Sequence, residues 1–189
     1  MKKRTTFASA VSSLIVVGCA ATVGDSSSTE QTESALGQCA VVSLRGTRTV
    51  NTATAALSKP FTVEWTATPS AAGTDAGLAL ANGNQTSWSG FAATVRFNGA
   101  ANTIDARNGA SGYAALSAVP YVPGKSYVIR MTVDPAAQRF SATVTPSGGA
   151  TVQIARDFAF RAATTTLNRQ IVHVGTESKG SLTACDFRI

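Results

Sequence analysis

From residue 39 onward the 189-residue chain keeps to a two-residue alternation and nowhere sustains a helical period, which restricts it to strands. Phe61-Thr62-Val63-Glu64-Trp65 alternates apolar and polar. Tyr127-Val128-Ile129-Arg130-Met131-Thr132-Val133 does the same, broken at Val128, and so does Arg139-Phe140-Ser141-Ala142-Thr143-Val144. Turn signals divide these runs: Pro69-Ser70, Asn82-Gly83-Asn84, Asn98-Gly99, Asn108-Gly109, Pro123-Gly124, Asp134-Pro135, Pro146-Ser147-Gly148-Gly149 and Ser178-Lys179-Gly180. A strand with one apolar face must hide it against a second layer, so many short strands predict an all-β fold, a two-sheet antiparallel sandwich or jelly roll. Trp65, on the same side as Phe61 and Val63, is expected in its core. There is no internal repeat.

The N-terminus carries a different signal. Lys2-Lys3-Arg4 precedes an apolar run over 7–17 that is interrupted by Ser9, Ser12 and Ser13 and is too short for a spanning helix of about 20 residues. It closes with Leu14-Ile15-Val16-Val17-Gly18-Cys19, which resembles the lipobox of bacterial lipoproteins. That resemblance implies cleavage before Cys19, a diacylglycerol on its sulfur and a fatty acyl chain such as palmitate on its amino group, enough tails for a permanent tether at about 0.8 kcal/mol per buried CH₂. Ala20, in place of the aspartate that retains some lipoproteins at the inner membrane, implies the outer membrane. The alternative is an ordinary secretory signal cut near residues 18–20, which discards Cys19 and releases a soluble protein. The expected organisation is therefore a signal peptide at 1–18, a lipidated Cys19 with a Ser/Thr/Glu-rich spacer at 19–37, and a sandwich at 38–189. Such a spacer has nothing to bury and would hold the domain about 20 to 25 Å from the bilayer.

Three of the 16 basic residues fall in the signal, leaving 13 against 10 acidic ones with no basic stripe, so nucleic acid is excluded as a partner. With Cys19 assigned to lipid, Cys39 and Cys185 remain, each inside a strand-like segment near one end of the domain. An oxidising compartment predicts a disulfide that fastens the first strand to the last. Buried free thiols, or a metal pair, are the alternatives, and a single histidine, His173, argues against the metal.

The segments 61–70, 95–98 (Val-Arg-Phe-Asn), 104–109 (Ile-Asp-Ala-Arg-Asn-Gly), 127–134, 140–146, 158–161 (Phe-Ala-Phe-Arg) and 184–187 (Ala-Cys-Asp-Phe) together resemble a bacterial module of the concanavalin A-like (laminin G-like) lectin/glucanase superfamily. The resemblance implies two antiparallel sheets, one with a concave outer face, and glycan binding on that face or in the loops beside it. Relatives tend to continue Phe-Arg with Thr-Glu-Gln, where this chain has Ala162-Ala163-Thr164, so no role for that acid carries over.

Catalysis of glycoside hydrolysis needs two carboxylates flanking the bond. No two of Glu64, Asp75, Asp105, Asp134, Asp157, Glu177 and Asp186 stand two apart on one strand, which leaves only a non-sequential pair such as Glu64 with Asp105. Gln170-Ile171-Val172-His173 resembles one strand of alginate lyases, but the companion motifs are missing and His173 reads as an ordinary strand residue. No cofactor is implied; calcium on Asp75, Asn82 and Asn84 is a further metal reading.

The candidate ligand residues are Arg96, Asp105, Arg107, Arg130 and Trp88. If Phe97, Ile104, Ile129 and Met131 face the core, alternation puts the first four on an outer face, and a hairpin through 98–103 sets Arg96 opposite Asp105. Such guanidinium forks bind carboxylates or sugar hydroxyls, or simply make solvated ion pairs. Trp88, among small polar residues, offers a face for a sugar ring, with Tyr113 and Tyr121 as weaker platforms. The expected function is a non-catalytic, lipid-anchored lectin-like module at the bacterial envelope that binds a glycan or an envelope protein. A polysaccharide-cleaving enzyme with an atypical site and a purely structural envelope protein are the alternatives.

Overall fold

The computed structural model describes residues 39–189. The signal, Cys19 and spacer assignments lie outside the described residues. Twelve strands form two antiparallel six-stranded sheets. Sheet A runs in the order β1 (Ala40–Val42), β12 (Leu182–Arg188), β3 (Phe61–Pro69), β8 (Tyr127–Asp134), β9 (Arg139–Pro146) and β10 (Val152–Ala159). Sheet B runs β2 (Thr49–Leu57), β11 (Leu167–Val174), β4 (Ala76–Ala81), β5 (Ala93–Asn98), β6 (Thr103–Asn108) and β7 (Gly112–Pro120). Among the described residues the helical content is two single 3₁₀ turns, Trp88–Gly90 and Gly109–Ser111.

The alternation seen in the sequence selects the buried faces. Val63, Trp65 and Ala67 on β3, Ile129, Met131 and Val133 on β8, and Phe140, Ala142 and Val144 on β9 point inward from sheet A. Leu78, Leu80, Val95, Phe97, Ile104 and Val172 meet them from sheet B in one continuous core. Val128, which interrupts the pattern of β8, is a half-buried residue of the outer face. The Trp65 indole N–H crosses the core and donates to Gln170 Oε1 at 3.1 Å, so the largest apolar side chain also ties the two sheets together. Tyr121, a weaker platform in the sequence reading, is instead 4% exposed and donates its hydroxyl to the Thr74 carbonyl at 2.8 Å.

The first and last strands are neighbours. Ala40, Val41 and Val42 pair with Ala184, Thr183 and Leu182, which brings Cys39 opposite Cys185, and the two are joined in a disulfide spanning 146 positions of sequence.

Candidate functional site

The site is built on the outer face of sheet B. Pairing across five strands aligns Thr49 (β2), His173 (β11), Gly77 (β4), Arg96 (β5) and Asp105 (β6) in one row. On β5 and β6 the apolar Val95, Phe97, Ile104 and Ala106 turn inward, so Arg96, Asn98, Asp105 and Arg107 turn outward. The hairpin register is held by Asn98, whose Oδ1 accepts the backbone N–H groups of Ala100 (3.1 Å) and Ala101 (3.3 Å).

Arg96 and Asp105 therefore meet as expected from the sequence. Arg96 Nε donates to Asp105 Oδ1 at 3.0 Å and Nη2 to Oδ2 at 2.8 Å, while Asn98 Nδ2 adds a third donor to Oδ2 at 2.9 Å. Asp105 is 7% exposed and fully committed to these partners. Burial works against the Arg96 charge, but its hydrogen bonds and attraction to Asp105 outweigh that and raise its pKa, so it stays a cation. Its remaining nitrogen, Nη1, lies 4.0 Å from Asp75 Oδ1. Burial raises the Asp75 pKa; Arg96 opposes the shift, and Asp105 and Glu177 reinforce it. Beside them an open groove of about 580 Å³ is bordered by Asp75, Arg96, Asn98, Asn102, Glu177 and Lys179.

On the other side, the Arg96 guanidinium stacks 3.7 Å from the centre of the Tyr113 ring. Arg107, directly opposite Tyr113 in the β6–β7 register, lies 5.3 Å from the same ring, and its Nε is fixed on the Gly109 carbonyl at 2.8 Å. Burial raises the pKa of the Tyr113 phenol against the pull of Arg96, Arg161 and Arg107.

Trp88 reaches this same face. Its segment is clamped by reciprocal bonds between Asn51 and Gln85, Nδ2 to carbonyl at 2.9 Å and N–H to Oδ1 at 3.0 Å. It is tied back where Ala92 N–H donates to the Leu80 carbonyl at 2.9 Å. Every residue of β4 is buried because its outward positions, Gly77, Ala79 and Ala81, form the floor beneath Trp88 and Phe91. At Gly77 a Cβ would stand 2.6 Å from Trp88 Cζ3, so only glycine admits the ring at this depth. The indole meets Tyr113 and His173 edge-on, with centroids at 6.1 and 4.8 Å. It is thus a half-buried wedge with part of its surface open, rather than a ring lying free on the sheet. Small residues at alternate positions of β4 were the sequence signal for such a cover.

His173 lies under this flap, 3% exposed, with Nδ1 2.7 Å from the Thr49 hydroxyl. Burial, assisted by the charge of Arg48, lowers its pKa to about 4, so the imidazole is neutral.

Three groupings considered from the sequence are separated. Arg130 belongs to sheet A, opposite Glu64 in the β3–β8 register; its Nη1 is 3.8 Å from Glu64 Oε2 and its side chain is 59% exposed, so it is a solvated ion pair on the far side of the sandwich. Glu64 is by the same fact on the opposite surface from Asp105, and the two cannot flank one glycosidic bond. Asp75 precedes β4 while Asn82 and Asn84 follow it, roughly 20 Å apart at 3.3 Å per residue, so these three cannot share a calcium ion. Asn84 Oδ1 instead accepts from Arg169 Nε at 2.7 Å. Arg161 enters the site through the fold: its N–H bonds to the Ala92 carbonyl at 2.9 Å, which brings the chain after β10 alongside the Trp88 flap.

No family model matches this chain, and no curated protein matches it. Among solved structures it is similar to the galectin-1-L2 of Dario rerio, at 18% identity over 74% of this chain and 98% of that one, with a TM-score of 0.46. It is likewise similar to the metal-free form of lectin I-B4 from Griffonia simplicifolia (12% identity, 68% of this chain, 70% of that one, TM-score 0.49). A third is arcelin-5, a lectin-like defense protein of Phaseolus vulgaris (11% identity, 68% of each chain, TM-score 0.48). At these identities and scores the functional argument rests on the residues of this chain.

Proposed function

We propose that residues 39–189 are a non-catalytic lectin-like module that binds a glycan on the outer face of sheet B and is held at the bacterial envelope by lipid on Cys19. The observation that carries the reading is the Arg96 guanidinium, locked on Asp105 and stacked on Tyr113 beside the Trp88 wedge. Donors fixed by strands lose little entropy on binding, and aromatic surface next to them suits the apolar face of a sugar ring. The lipobox resemblance and Ala20 support attachment at the outer membrane. The full chain on a glycan array is expected to bind, and Tyr113→Ala to weaken binding by about 5- to 150-fold, the loss of a contact worth about 1 to 3 kcal/mol. An array blank for the full chain would refute the glycan reading. Cys19→Ala should abolish incorporation of labelled palmitate and release the protein from membranes; unchanged detergent partitioning of that variant places the anchor elsewhere.

One observation favours a second reading, a polysaccharide-cleaving enzyme: Asp75, its pKa raised by burial, borders the groove as a general acid must border its substrate. Asp105 is engaged by Arg96 and Asn98 and makes a poor nucleophile. Sustained release of reducing ends, abolished by Asp75→Asn, would establish the enzyme reading over the lectin one.

A further inference from the structure

From Cys39 onward thirteen basic residues face seven acidic ones, and how those seven are used decides which cations are left for a ligand. On this side of the molecule Asp105 is taken by Arg96 and Asn98, while Asp75 and Glu177 border the groove beyond Arg96. Among the described residues the ion pairs within 4.0 Å involve Arg96, Arg130 and Arg188, and no carboxylate meets Arg107 or Arg161. Both are half-buried; Arg107 lies 5.3 Å from the Tyr113 ring, and Arg161, bonded through its N–H to the Ala92 carbonyl behind the Trp88 flap, is near enough for its charge to act on the Tyr113 phenol. Arg107 spends its Nε on the Gly109 carbonyl, with a weak 3.5 Å contact from Nη2 to Ala110, so most of its fork remains free. The Arg161 side chain has no hydrogen-bond partner among the described residues, although its backbone is pinned to the Trp88 flap. A neutral sugar seated here strips water from two guanidinium groups without offering a countercharge; an anionic one pairs them, and a planar or tripodal oxyanion matches the donor fork.

Building on the glycan-binding reading, we propose that the ligand is an acidic polysaccharide, its carboxylate or sulfate group held between Arg107 and Arg161 beside Tyr113. Arg96, already neutralised by Asp105, sets the position of the Tyr113 ring and is not the anion's partner.

The test uses the full chain in detergent at physiological salt on three immobilised polymers: polygalacturonate for carboxylates, dextran sulfate for sulfates, and unsubstituted dextran as the neutral control. Retention on either or both charged polymers and not on dextran is expected, with the stronger of the two identifying the group. Arg107→Gln with Arg161→Gln should weaken that retention at least tenfold. Arg161→Gln alone, which removes no side-chain hydrogen bond among the described residues, should weaken it several-fold with an unchanged near-ultraviolet circular dichroism spectrum. Arg130→Gln, which deletes the same charge from the opposite sheet, should stay within twofold. An equal loss from Arg130→Gln would mean diffuse charge attraction and overturn the assignment. Neutral dextran bound as well as the charged polymers, with both arginine variants unaffected, overturns the acidic ligand and leaves glycan binding standing. An absence of binding to all three polymers, together with a blank glycan array, removes both.

Discussion

Trp88→Ala separates the cover of the outer face from its floor, and His173 reports the result. Deleting a fully buried tryptophan costs about 3–5 kcal/mol; Trp88 is half-buried in a small cluster with Ala79, Ala81, Phe91 and Ile171, so roughly 1 to 2 kcal/mol is expected. The indole edge is one of two aromatic covers on His173, the other being Phe91 at 5.3 Å. Removing it admits water, relieves the burial that holds the imidazole neutral, and moves its pKa up from about 4 toward its usual 6.5. Because His173 is the sole histidine, its Cε1 proton can be followed by NMR across the titration without assignment. Stability should follow the same group. Between pH 6.5 and about 4 the unfolded chain binds a proton that the folded chain refuses, so the wild type loses stability as pH falls through that window, by up to about 3 kcal/mol. Below about pH 4 both states are protonated and this loss ends. In Trp88→Ala the slope flattens. A His173 pKa still near 4 in the variant would show that Trp88 is not what keeps the imidazole neutral, and destabilisation beyond about 4 kcal/mol would show that the ring belongs to the main core.

Three further outcomes test the scaffold. Replacing Cys39 and Cys185 by serine removes a link across 146 positions and should lower stability by as much as about 5 kcal/mol on chain-entropy grounds; free thiols titrated in the denatured, unreduced protein would contradict the bridge. Asp105→Asn leaves the half-buried Arg96 cation with only Asp75, 4.0 Å away, as a countercharge and should cost about 2 to 4 kcal/mol in urea unfolding, whereas Arg130→Ala, at an exposed ion pair, should cost under about 1 kcal/mol; similar values would erase the distinction drawn between the two faces. Gly77→Val should lift the Trp88 ring, seen as a red shift in tryptophan emission, and destabilise by about 1–3 kcal/mol through overpacking; an unshifted spectrum with wild-type stability argues against the contact.

Much of this architecture could be read along the chain because it depends on short-range sterics. Pleating turns neighbouring side chains to opposite faces, so Val63, Trp65, Ile129, Met131 and Phe97 declared themselves inward and Arg96, Asp105, Arg107 and Arg130 outward. A turn only a few residues long fixes its own register, so Arg96 had to meet Asp105. The pairing of Cys39 with Cys185 was the expectation for two cysteines near the ends of a domain whose N-terminus resembles an export signal.

What alternation cannot convey is which sheet a strand joins, because that is settled by pairing between segments far apart in sequence. Arg130 has the right parity and the wrong sheet: β8 hydrogen-bonds to β3 and β9, and its outward face looks away from Asp105 across the full thickness of the core. The converse holds for Trp88, His173 and Arg161. Their segments look like a polar loop, an ordinary strand and a linker, and become one site only when the flap lands on Gly77 and the chain after β10 bonds to Ala92. Local chemistry set the faces of this protein, and long-range packing decided which residues share one, since burial against a distant neighbour is the interaction that a single segment cannot encode.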